Sequence, residues 1–132
     1  MAGIPVGTRL ERKLLVTSEV AIDFLGSEQA RVLSTPHLIG FLEMASRDAV
    51  AGLLEPGYDT VGTHVDVNHM AATPIGMRVT FQAEVTAVND RRVTFKVEAF
   101  DEREKIAEGT HERFIVNIAR FASRLQAKSA VV

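Results

Sequence analysis

Apolar and polar residues alternate strictly in the second half of the chain, and a period of two is the mark of half-buried strands. From Met77 to Val88, Val79, Phe81, Ala83 and Val85 face one way, and Arg78, Thr80, Gln82, Glu84 and Thr86 the other. After Asn89-Asp90, a hairpin-type connection, Val93, Phe95, Val97 and Ala99 oppose Arg92, Thr94, Lys96 and Glu98 over residues 91–100. The polar run 101–104 leads into a last strand expected to end near Arg120, with a short exposed or frayed helix beyond it. Upstream, residues 61–69 place Val61, Val65 and Val67 on one face and His64, Asp66 and Asn68 on the other, before the turn Thr73-Pro74-Ile75-Gly76. Residues 8–22 alternate more loosely and read as a further strand, whereas 23–34 has no period and suits a loop or short helix.

A different period occupies residues 34–57. Ser34 and Thr35 are capping types, Pro36 suits a first helical turn, and Pro56-Gly57 stops the chain, so one helix of about five turns is expected. Its apolar residues, among them Leu38, Phe41, Leu42, Met44, Ala45, Val50 and Leu54, wrap most of the circumference, which predicts burial nearly all round. One strand, one long helix and four hairpin-linked strands make an α+β domain over residues 1–132. The apolar face of an antiparallel sheet curls around a single helix, the hotdog arrangement. Such a sheet leaves open edges, so a homodimer, or a dimer of dimers, is expected.

Composition narrows the function. The chain has 132 residues, 46% apolar, with 15 basic and 17 acidic residues giving a net charge of −2, and no cysteine. That length buries roughly two-thirds of the unfolded surface without staples. The missing cysteines exclude disulfides, a thiol nucleophile and thiolate zinc sites. The charges form no basic stripe, which argues against nucleic acid, and no stretch approaches the ~20 apolar residues of a membrane span. The first fifteen residues lack a leader's apolar run, so a cytoplasmic location is expected.

Three polar residues, Glu43, His69 and Arg113, fall where the periodicity predicts core, and polar groups taken from water need partners. Glu43 lies on the helix that the apolar side of the His69 strand covers, so the two can meet, a carboxylate setting an imidazole's tautomer and basicity. Thr35, eight residues before Glu43, is the nearest hydroxyl, about 12 Å away along the helix axis. Each residue also has a plain structural reading. Glu43 can pair with Arg47 one turn on, Thr35 can cap the helix, and His69 can be a satisfied core histidine. His111 and Arg113 can form a cross-strand charge cluster, and His64 with Asp66 makes only two ligands of a metal site.

Taken together, the strings Thr35-Pro36-His37-Leu38-Ile39-Gly40-Phe41-Leu42-Glu43, Leu54-Glu55-Pro56-Gly57, Gly62-Thr63, Asn68-His69-Met70-Ala71-Ala72-Thr73-Pro74 and Gly109-Thr110-His111-Glu112-Arg113 are distinctive. They resemble the fluoroacetyl-CoA thioesterase-like group of hotdog thioesterases over about residues 33–121. The resemblance implies hydrolysis of a small acyl-CoA, with Thr35, Glu43 and His69 as the catalytic constellation. It further implies the Gly62 amide beside the thioester carbonyl and Arg113 as the active-site arginine. Phe41 on the helix is expected to line the acyl pocket. The group's fluoroacetyl-specific enzyme carries phenylalanines ahead of the threonine, and residues 26–33 here have none, so the resemblance carries the reaction class but not the acyl group. No spacing implies a metal or redox cofactor; coenzyme A enters as part of the substrate. Two competing readings remain. Enoyl-thioester hydration would need an aspartate and histidine closer together than Asp23 and His37, and a non-catalytic acyl-thioester-binding module would tolerate alanine at Thr35, Glu43 and His69.

Overall fold

A computed structural model describes residues 3–130. Five strands, β1 (Arg9–Leu15), β2 (Tyr58–His69), β3 (Arg78–Asn89), β4 (Arg92–Phe100) and β5 (Lys105–Asn117), form one antiparallel sheet in the order β1-β3-β4-β5-β2. Helix α1 (Thr35–Ala51) lies across the sheet's apolar face and touches all five strands, and α2 (Ile118–Ala130) follows β5. This is the expected hotdog arrangement. The core sits where the period of two places it: Val79, Phe81, Ala83 and Val85 of β3 and Val93, Phe95, Val97 and Ala99 of β4 are all buried against α1. No helix among the described residues is long and apolar enough to cross a membrane.

Four expectations are corrected. The first strand is shorter than residues 8–22: it ends at Leu15, and Val16 turns into the core, its N–H bonded to the Met77 carbonyl, before a single 3₁₀ turn at Ser18–Val20. Helix α1 stops at Ala51, since Gly52 is a poor helix former and the residue before Pro56 avoids the helical state.

The helix is also not buried all round. Leu38, Leu42, Ala45, Ser46 and Val50 make one stripe toward the sheet, while Met44 on the other side is 50% exposed. The fourth correction concerns β2. A register shift between Gly62 and His64 is a bulge that lets the strand spend one residue without a partner, so the parity reverses. Val61 pairs with Phe114 on the outer face, whereas Val65 and Val67 sit opposite His111 and Gly109 on the inner one. Strand β2 is an outer strand, one side unpaired, and Val65 is partly exposed there.

Candidate active site

Ser34, not Thr35, caps α1: its hydroxyl accepts the His37 backbone N–H at 3.2 Å. The Thr35 hydroxyl is thereby released from capping and lies 2.7 Å from Nδ1 of His69, at the far end of β2. His69 Nε2 is buried with no hydrogen-bond partner among the described residues. Burial of the ring lowers its pKa from the ordinary 6.5, only partly opposed by the Ala71 backbone, so the imidazole is neutral near pH 7. Thr35 and His69 line a cavity of about 310 Å³ together with Phe24, Leu33, Met70 and Ala72.

A second cluster surrounds the β2 bulge. Arg113, 6% exposed, reaches from the inner face of β5 and donates from Nε to the Thr60 hydroxyl at 2.7 Å and from Nη2 to the Thr60 carbonyl at 2.8 Å. Its Nη1 lies 3.8 Å from Oε2 of Glu43 on α1. Arg47, the alternative partner for Glu43, is taken by Asp59 at 2.6 Å, an ion pair that raises the Arg47 pKa and lowers that of Asp59. A Cβ at Gly62 would stand 2.7 Å from Glu43 Oε2 and 3.3 Å from Arg113 Nη1, so any side chain there would displace the Glu43 carboxylate. The structure therefore joins Thr35 to His69, and Glu43 to Gly62 and Arg113, but no hydrogen bond or ion pair links the two groups among the described residues.

The fluoroacetyl-CoA-specific thioesterase family model matches residues 16–119. The chain belongs to that family. Among the family's relatives, a fluoroacetyl-CoA thioesterase from Streptantibioticus cattleyicolor is 34% identical over 96% of each chain. A solved structure of the fluoroacetyl-CoA thioesterase FlK superposes with a TM-score of 0.86 at 34% identity, covering 96% of this chain and 98% of that one. A thioesterase superfamily member from Thermus thermophilus, 27% identical over the full length of both chains, superposes with a TM-score of 0.88. As a member of the fluoroacetyl-CoA-specific thioesterase family, the chain is a thioester hydrolase acting on an acyl-CoA.

Within this family frame, Phe41 does not line the Thr35–His69 cavity: its ring packs on Phe81 at 5.2 Å between centroids, half in the core. The cavity does have a phenylalanine, Phe24, 76% exposed and just ahead of the phenylalanine-free stretch 26–33. Sequence reasoning missed it because that segment has no period. Thr60 was missed as well. It is buried, two residues before Gly62 on the inner face of β2, but alternation counted through Val61, Val65 and Val67 without the bulge assigns it to the outer face, so the pattern held no signal for it.

Proposed function

We propose that the chain hydrolyses a small acyl-CoA to the free acid and coenzyme A, at a site assembled from two protomers. The observation that carries this reading is the 2.7 Å contact between the Thr35 hydroxyl and His69 Nδ1, opening into a cavity of about 310 Å³, at the small end for ligand sites. In the reaction, Nδ1 takes the proton as the oxygen of Thr35, or of a water that Thr35 orients, adds to the thioester carbonyl carbon. The C–S bond then breaks and the imidazolium returns the proton to the departing thiolate; where Thr35 itself attacks, a water deprotonated by the same Nδ1 then cleaves the acyl-threonine ester, releasing the acid and restoring the hydroxyl.

Reach along the chain supports a shared site. Gly62 and His69 are seven residues apart on one strand, about 23 Å, and Thr35 and Glu43 are about 12 Å apart along α1. Neither gap can close within one protomer. Pairing of the β2 edge with the same edge of a second copy runs antiparallel, which sets the Thr35–His69 end of one protomer beside Glu43, Gly62 and Arg113 of the partner subunit. There the Gly62 amide supports the oxyanion and Glu43 the imidazolium. We place this single-domain enzyme in the cytoplasm, with no resident metal or redox cofactor.

The test is thiol release from a panel of short, medium and aromatic acyl-CoAs, with the His69→Ala variant alongside. Turnover of at least one short member and a loss of about 10²- to 10⁴-fold in the variant are expected. Because burial holds His69 neutral below pH 6.5, the wild-type rate should persist as the pH drops past that value. Absence of thiol release from every member would remove the reading.

A further inference from the structure

We propose that His111 is a positioning residue of the hydrolytic site: its imidazole fixes the guanidinium of Arg113 and so sets the gap between Arg113 and Glu43. The proposal rests on the reading of Glu43 and Arg113 as parts of that site.

His111 is 1% exposed on the inner face of β5, two residues before Arg113, with its ring stacked on Phe95 of β4. Its two nitrogens have different partners. Nδ1 lies 2.7 Å from the His64 carbonyl, which can only accept, so Nδ1 carries the proton. Nε2 lies 3.2 Å from Nη1 of Arg113, which can only donate, so Nε2 offers its lone pair. The two contacts thus demand one neutral tautomer, and burial together with the Arg113 charge depresses the pKa of the ring in the same sense. The His64 contact ties the ring to the residue that closes the β2 bulge, and Cε1 lies 3.2 Å from where a Gly62 side chain would begin.

The consequence is felt at Glu43. Thr60 holds the Nε and Nη2 edge of Arg113, leaving Nη1 as the corner that faces Glu43. With one Nη1 proton drawn to His111, the carboxylate stands at 3.8 Å, attracted but outside hydrogen-bond distance. A carboxylate oxygen in a direct hydrogen bond with Nη1 has a lone pair occupied, whereas one held a step away keeps it for the reacting groups. His111 touches no reacting atom; it acts through Arg113.

Three variants separate these roles. His111→Phe keeps the ring volume and removes both contacts. His111→Asn keeps a donor for the His64 carbonyl, but its amide oxygen falls short of Arg113, and His111→Gln supplies an acceptor where Nε2 was. Expected are a fall in kcat of about 10- to 100-fold for the Phe and Asn variants, with KM changed less than about threefold, and recovery of most of that loss by Gln. Crystal structures of the Phe or Asn variant should show Arg113 Nη1 moved onto Glu43 at hydrogen-bond distance, and that of Gln should not. If the gap in the Phe or Asn variant stays at the wild-type value, or if it closes while kcat is unchanged, the proposal is overturned. If the wild type itself releases no thiol from any acyl-CoA, the hydrolytic reading falls and His111 loses its catalytic meaning, while the Arg113–Glu43 gap still reports whether the imidazole sets it. If the Phe variant does not fold, the Asn and Gln pair carries the same comparison.

Discussion

Two glycines on neighbouring strands, both facing the same interior, show how differently one added methyl group acts. At Gly62 the methyl would meet the end of the Glu43 side chain at 2.7 Å, and a flexible carboxylate can swing aside. At Gly109 it would meet backbone, with Val67 Cα at 2.7 Å and the Asp66 carbonyl nearer still, where β2 and β5 press together. On the proposed mechanism, Gly62→Ala should therefore lower kcat by about 10²-fold by displacing the Glu43 carboxylate, while the urea midpoint of unfolding moves little. Gly109→Ala should cost about 3 kcal/mol of unfolding free energy, measurable in the same titration. Equal effects of the two on stability would mean that Gly62 is spared a side chain for packing rather than for chemistry.

At the scale of the element, the start of α1 links folding to the site. Ser34 caps the helix and Thr35, the next residue, points its hydroxyl at His69, so the cap fixes the direction from which that hydroxyl arrives. Ser34→Ala should reduce stability by about 1 kcal/mol and also lower kcat, although Ser34 lies outside the reacting groups. Thermal unfolding and thiol release measured together test this; a stability loss without any change in rate would separate cap from site. The same elements show what was legible beforehand. Strands β3 and β4 followed from alternation alone, since Val79 to Val85 and Val93 to Ala99 each alternate without interruption along their own strand, and the one register shift between the strands falls after Val85, at the end of the buried run of β3. Strand β2 was placed correctly as a strand, but its faces were not, because a bulge leaves no mark in composition and shifts the count by one. Of the candidate site, Glu43 and His69 stood out as polar residues at positions the periodicity gives to the core, and the family resemblance joined Thr35 to them, while pattern alone could not choose between a cap and a nucleophile at Thr35. That choice depended on which of two adjacent hydroxyls turned inward, a matter of backbone geometry.

For the whole molecule, the second copy proposed above would cover both the exposed side of α1 and the open edge of β2. Met44 at 50% exposure and Val65 at 38% are apolar surface left over when one helix serves one sheet. A mixing experiment decides whether the site is shared. Glu43→Ala and His69→Ala proteins, each inactive alone, should regain about a quarter of wild-type turnover after being unfolded and refolded together, because random pairing puts one intact site in half of the dimers. No recovery would place all the groups in one protomer.

The bulge at Gly62–His64 has a last consequence, in the currency of chain length rather than residue identity. Strand β2 is written in two frames, one before the bulge and one after, and the unpaired Thr63 is the spacer between them. Replacing Thr63 by another small polar residue leaves both frames intact. Removing it would join them and turn either Thr60 and Gly62 or Val65, Val67 and His69 to the outer face, dismantling one half of the site without altering a single residue in it. Related sequences can therefore drift widely in what they place at this position, but not in whether they place something there.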